Sequence, residues 1–307
     1  MISKRLSVLA LAAICVASLG ETPRDATWTM ARANAELNPV VESLVPDLSW
    51  RTPLTDGTNA TPVVANGRVF IDGNGHVLWT LDLYTGSVLW QQLAGNELSG
   101  VPLLYNGVVI ISQGQPSGRG ANGIVGIDAT TGKRLWYASL DGSGTPTPAI
   151  VDGQLVNHDS TGELEVFDPT TGTERWHKNL GTHAHASAIT PISPTAFVTA
   201  GDDPDDVVAM DVRSRKILWR APLPADARSA GSTYLAYDGT RIFGMYFAPR
   251  AATEKAPYHA TQRLYALDAK TGHTLWSADV ASGVAQERFL SSIPLVHDDT
   301  VYAGSPL

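Results

Sequence analysis

The chain has 307 residues, 28 of them glycine and 19 proline, which suits one large, turn-rich domain. Its 30 acidic residues outnumber 22 basic ones, giving a net charge of −8, and that balance argues against a nucleic-acid partner, because phosphate binding needs clustered Lys and Arg. The single cysteine, Cys15, falls in a segment that reads as removed on export, so the mature chain is expected to hold no disulfide, thiolate or Cys-x-x-Cys-His haem chemistry.

Residues 1–20 are basic at Lys4 and Arg5, apolar from Leu6 to Leu19 and small at the end, the pattern of a cleaved secretory signal. The apolar run is too short for a membrane span, and no later run is apolar enough for one. Ile14 before Cys15 is not the small residue a lipid-attachment site wants, so cleavage near Gly20 without a lipid anchor is expected. Removing residues 1–20 takes Lys4 and Arg5 and moves the net charge from −8 to −10. Residues 21–47 form an extension in which Ala33–Val45 could be a short helix and Ala26–Met30 a short strand. Trp50 then opens a repeat domain over residues 48–307 as an isolated outer strand.

Two signatures recur through that domain. The first is an apolar run, an Asn-Gly or Asp-Gly pair and a second apolar run, as at Asn66-Gly67, Asn106-Gly107, Asp152-Gly153 and Asp238-Gly239, which is a strong hairpin signal. The second is an Asp, a Thr-Gly and a Trp: Asp82, Gly86 and Trp90; Asp128, Gly132 and Trp136; Asp168, Gly172 and Trp176; Asp268, Gly272 and Trp276. A degenerate copy has Asp211 and Trp219 with Arg215 in the glycine position. The Asp can accept backbone N–H groups two and three residues on, and the Gly supplies a positive φ. A Trp between two packed sheets can bury roughly 200 Å².

The tryptophans advance by 46, 40, 43 and 57 residues, a period that means stacked or radial repeats. Each unit reads as strand A, a tight turn, strand B, a variable loop, strand C, the Asp…Thr-Gly turn and strand D. Four antiparallel strands per unit make a propeller blade, so the fold class is an all-β propeller. Five complete blades are expected over 61–92, 102–140, 147–180, 189–222 and 232–280, and a sixth stops after two strands. The repeat therefore reads as incomplete after Leu307, with 6–8 blades in a closed ring.

The Ala-x-Asp-x-x-Thr-Gly-x-x-x-Trp pattern, complete at Ala266–Trp276, resembles the pyrroloquinoline-quinone (PQQ) repeat family. That family includes quinoprotein dehydrogenases and non-enzymatic propellers of outer-membrane assembly. The resemblance covers residues 48–304 and implies the fold more sharply than the function, because every matching residue is a packing or turn residue. It implies a protein-binding scaffold or, alternatively, a PQQ-dependent dehydrogenase of alcohols or sugars. The dehydrogenase reading would need Arg, Asn and Asp converging with Ca²⁺ in the central funnel, and its alcohol-oxidising members use a vicinal cysteine pair that this chain lacks. No catalytic residue, metal or cofactor is expected on the scaffold reading.

Other motifs have plainer readings. Gly118-Arg119-Gly120-Ala121-Asn122-Gly123 fits the dinucleotide glycine pattern, but a strand rather than a helix should follow it. His183 and His185 would share one face of a strand without an evident third ligand. Asp202-Asp203-Pro204-Asp205-Asp206 has no calcium-loop spacing.

Alternating strands sort the loops onto two faces. The A–B and C–D turns are short and uniform, whereas the B–C and D–A loops carry the length variation. Insertions are expected at Ser112–Gly123, Gly201–Asp206 and Ala248–Gln262. Varied loops on a rigid scaffold are where binding sites arise. Arg119, Arg250, Lys255, Tyr258 and His259 are the candidate contacts for a protein partner of the cell envelope, with the propeller itself monomeric.

Overall fold

The computed structural model describes residues 50–55, 61–73, 76–93, 98–114, 122–142, 147–181, 188–202, 205–224, 227, 234–249, 259–284, 294–297 and 299–304. The signal segment 1–20, the whole extension 21–47, and His183 and His185 lie outside these residues.

The described strands form five four-stranded antiparallel sheets and one two-stranded sheet, each in simple meander order. Blade one holds β1 (Val63–Ala65), β2 (Arg68–Gly73), β3 (Val77–Asp82) and β4 (Val88–Leu93). Blade two holds β5 (Leu98–Tyr105), β6 (Val108–Gln113), β7 (Gly123–Asp128) and β8 (Arg134–Ser139). Blade three holds β9 (Ala149–Val151), β10 (Gln154–His158), β11 (Glu163–Phe167) and β12 (Glu174–Asn179). Blade four holds β13 (Thr190–Pro191), β14 (Ala196–Asp202), β15 (Asp205–Asp211) and β16 (Lys216–Pro222). Blade five holds β17 (Ala236–Tyr237), β18 (Arg241–Pro249), β19 (His259–Asp268) and β20 (Thr274–Val284). The sixth sheet is β21 (Leu295–His297) with β22 (Thr300–Tyr302). The glycine pattern at 118–123 runs into strand β7, which removes the helix that a dinucleotide site requires.

Positive φ at both turn residues fixes the A–B hairpins. Asn66 and Gly67 have φ of 51° and 70°, and Asn106 and Gly107 have 46° and 80°, the conformation whose twist matches that of paired strands. In the C–D turn the aspartate works as an acceptor. Asp128 Oδ1 takes the N–H groups of Thr130 and Thr131 at 3.0 and 2.6 Å and the Thr131 hydroxyl at 2.8 Å. The Gly132 N–H then closes on the Asp128 carbonyl at 2.9 Å. The same bonds hold the carboxyls of Asp82, Asp128, Asp168 and Asp268 below the usual carboxylate range. In Asp211 the largest contribution is the Thr195 hydroxyl, 2.6 Å away.

Strand alternation sends one side of each blade forward to the next and the other side back. One apolar layer, with Phe70, Leu78, Val109, Ile111, Val125 and Ile127, joins blades one and two. A second joins blades two and three through Ile110, Ile124, Trp136, Leu155 and Phe167. Blades three and four, four and five, and five and the sixth sheet share comparable layers. The core is thus a series of walls between blades rather than one central mass.

Trp50, Trp90, Trp136 and Trp219 each reach onto a Thr-Gly turn of the following blade. Trp90 Nε1 donates to Ala129 O at 3.2 Å, and Trp219 Nε1 donates to Ala269 O at 3.0 Å. Trp50 makes the same bond to Leu83 O at 2.8 Å, although residues 50–55 belong to no described strand. Trp136 lies where a Cβ on Gly172 would come within 2.4 Å of its ring, so that turn needs glycine for space as well as for its φ of 68°. The turn of blade four breaks the rule. Arg215 takes the left-handed conformation at φ 58° and lays its guanidinium 5.2 Å from the Trp176 ring centroid. A cation–π contact there offsets the backbone cost of about 1 kcal/mol. Arginines add further ties between blades: Arg68 donates to Ala129 O and Thr130 O, and Arg213 grips both oxygens of Asp152 at 3.0 and 2.6 Å.

Candidate protein-docking face

The strand order places the A–B and C–D turns at one end of every blade and the B–C and D–A connections at the other. The turn end is nearly uniform, with two-residue A–B connections in blades one to three and five-residue C–D connections at 83–87, 129–133 and 269–273. The opposite end is not. Its B–C connections run from 203–204 in blade four to 114–122 in blade two and 250–258 in blade five, and its D–A connections include 140–148, 180–189 and 223–235.

Three insertions expected from the sequence are smaller than their sequence limits. In blade four the strands run on, pairing Gly201 with Asp206 and Asp202 with Asp205, so the acidic segment is a tight hairpin. Asp206 is buried and ion-paired with Arg220, which also donates to Leu180 O of blade three. In blade five Ala248 pairs with Thr261 and Pro249 with Ala260, which leaves 250–258 as the connection. In blade two, Ser112 and Gln113 remain in the ladder opposite Ile124 and Gly123. The ladder wins in each case because every further pair satisfies backbone groups that a loop would leave to solvent.

His259 opens β19, its backbone paired with Val284. Arg119, Arg250, Lys255 and Tyr258 lie outside the described residues, within or beside the two nine-residue connections 114–122 and 250–258.

Near the inner ends of the blades, this face has a floor that the sequence reading missed. Thr147 and Ala188 form a parallel bridge, with Ile189 N–H on Thr147 O at 3.2 Å. Val101 of blade two and Tyr234, just before blade five, both pack on Ala188. The Tyr234 phenol is pushed up by burial, and Thr190 Oγ1 donates to Leu235 O at 3.2 Å. The available signal was the Thr-Pro or Val-Pro pair that begins several A strands, which reads locally as a hairpin feature and gives no hint that these ends converge. PQQ with Ca²⁺ asks for cationic and oxygen donors. Among the described residues, Val101, Thr147, Ala188 and Tyr234 bring two hydroxyls and otherwise apolar groups to this floor. Among the described residues, no group of three or more His, Cys, Asp or Glu could hold a metal, and no helix is long and apolar enough to cross a membrane.

The comparisons agree with this architecture. A tetrathionate hydrolase from Acidithiobacillus ferrooxidans is 26% identical over 274 residues, covering 82% of this chain and 54% of its own length. Outer membrane protein assembly factor BamB of Burkholderia pseudomallei is 26% identical over 251 residues, covering 80% of this chain and 59% of its own. The chain thus spans somewhat over half the length of these relatives. The crystal structure of BamB from Moraxella catarrhalis matches with a TM-score of 0.56 at 20% identity, over 84% of this chain and 72% of that one. The model of the family described as outer membrane protein assembly factor BamB matches residues 45–193 and 187–306, and the chain belongs to that family.

Proposed function

We propose that this chain is an extracytoplasmic propeller that docks a protein partner in the cell envelope through its face of unequal connections. The observation that carries this reading is the contrast between the two ends of the blades. One end repeats nearly the same turns, and the other confines almost all the variation in length. The repeat residues are spent on packing: the turn aspartates accept their own turn's N–H groups, and the tryptophans fill the gaps between blades. What remains for recognition is the varied face, led by Arg250 and Tyr258 in connection 250–258, with Arg119 in 114–122 as a second contact. The basic-then-apolar start of the chain and its BamB relatives support an envelope location. Replacing 250–258 by a short Gly-Ser turn should leave the melting temperature nearly unchanged and abolish partner capture from envelope extract. Capture that survives this change, and is lost instead on altering the Thr-Gly turns, would move the site to the opposite end.

A second reading is enzymatic. It is favoured by the tetrathionate hydrolase relative, which aligns over slightly more of this chain than the BamB relative does. Consumption of tetrathionate by the purified protein would support it. The third reading, a PQQ-dependent dehydrogenase, rests on the repeat and on relatives such as the quinohemoprotein alcohol dehydrogenase of Comamonas testosteroni, 26% identical over 148 residues, and reconstitution with PQQ and Ca²⁺ followed by dye reduction with alcohols and aldoses tests it.

A further inference from the structure

The wall between blades two and three carries a carboxyl at a strand-C position that blades one, two, four and five fill with apolar or aromatic side chains. Three residues before the turn aspartate, strand C carries Trp79, Val125, Val208 and Tyr265 in blades one, two, four and five, all buried. Blade three has Glu165 there, only 9% exposed. Leu155 and Phe167 face blade two, so alternation turns Asn157 and Glu165 to the same side. Asn157 Nδ2 donates to Glu165 Oε2 at 3.0 Å. From the other side of the wall, Ile110 and Ile124 face blade three, and alternation sends Ser112 the same way. Ser112 is buried, and among the described residues its hydroxyl has no partner. A carboxyl, an amide and a hydroxyl thus interrupt the apolar layer of this wall, with the buried Asp159 carboxylate at its end.

The charged groups around Glu165 do not neutralise it. Glu163 shares its strand and Asp159 follows β10, with Oδ2 accepting Gly142 N–H at 2.8 Å. Asp141 follows blade two's last strand, and β12 supplies Glu174, Arg175, His177 and Lys178. His177, the cross-strand neighbour of Glu165, is exposed and paired with Glu174 at 2.7 Å, while Arg175 is paired with Asp168 at 2.7 Å. Lys178 Nζ points to Arg215 O of blade four at 3.4 Å. Blade two presents Ser112, Ile124, Ala138 and Leu140 to this place, none of them charged. Burial, with added repulsion from Asp159, Glu174 and Asp141, pushes the Glu165 carboxyl up to about 8.

We propose that Glu165 is a proton-operated latch between blades two and three: protonated, it closes the seam, and on ionising it loosens it. Among the described residues, an ionised carboxylate in this wall has one amide donor and no cation, so it must draw in water or move out. The seam runs toward connections 114–122 and 140–148, and the Gly142–Asp159 bond ties the second of these to blade three. Loosening therefore reaches the varied face, whichever partner that face takes.

The test is urea unfolding of the full chain between about pH 5 and about pH 9, comparing wild type with Glu165→Gln and Glu165→Val, the latter carrying the residue of blades two and four. Relative to either variant, the wild-type unfolding constant should rise up to about tenfold per pH unit between about pH 5 and about pH 8. His177, its imidazole held above the ordinary value by the Glu174 carboxylate, is common to all three proteins, so the difference isolates Glu165. Hydrogen exchange of β6 and β10 amides, compared at matched pH, should show the wild type opening faster at about pH 8.5 than Glu165→Gln. Parallel pH profiles for wild type and whichever variant folds would overturn the latch.

Discussion

At the scale of single residues, the tryptophan docks and their one irregular turn make the sharpest predictions. Trp136 is 8% exposed and wedged between Gly126 of its own blade and Gly172 of the next. Trp136→Ala should cost roughly 3–5 kcal/mol in chemical denaturation, and a loss under about 1 kcal/mol would mean that the ring is not part of the wall. Arg215 separates two effects that usually travel together. Arg215→Gly removes the left-handed strain and the Trp176 contact at once, so its stability should stay close to wild type. Arg215→Ala keeps the strain and loses the contact, and should be about 0.5–1 kcal/mol less stable. An alanine variant as stable as wild type would show that the guanidinium contributes nothing. The sequence showed that Arg215 breaks the repeat, but not the compensating stack, because nothing local says that Trp176 lies beneath it. Glu165 was missed for a related reason. One acidic residue in an alternating strand reads as solvent-facing, and only the presence of blade two makes it buried.

At the scale of elements, the C–D turn is the most regular unit and was legible residue by residue. Asp168 Oδ1 accepts the N–H and hydroxyl of Thr170 at 2.9 and 2.6 Å and the Thr171 N–H at 3.1 Å. Asp168→Ala should therefore destabilise by about 1 kcal/mol, while Asp168→Asn, which keeps an acceptor, should lose less. The sign of the acid response follows from the carboxyls of Asp82, Asp128, Asp168, Asp211 and Asp268, held low chiefly by hydrogen bonds from the turns or, for Asp211, from Thr195. Folded values below the unfolded value add stability that is present above about pH 4 and is lost as the pH falls through the folded values. Thermal unfolding between about pH 5 and about pH 2 should show that loss, and a flat response would contradict the turn chemistry. The B–C loops were less legible than the turns. The strands of blade four could lengthen across Gly201–Asp206 because Asp206 found Arg220, a partner 14 residues away that local pattern does not reveal.

At the scale of the whole molecule, the repeat period and the two turn signatures were enough to place five blades and a sixth partial sheet. The candidate site was legible only as a face. Strand direction sorts the loops, but the convergence of Val101, Thr147, Ala188 and Tyr234 depends on contacts across blades that no single repeat encodes. The central claim is that partner recognition belongs to the varied face. It can be tested by placing a photo-crosslinking amino acid at Tyr258 in one protein and at Tyr84, a 65% exposed residue of the uniform turn face, in another, then irradiating each in the intact envelope. A discrete crosslinked partner is expected from position 258 and none from position 84. A partner captured from position 84 and absent from position 258 would contradict it.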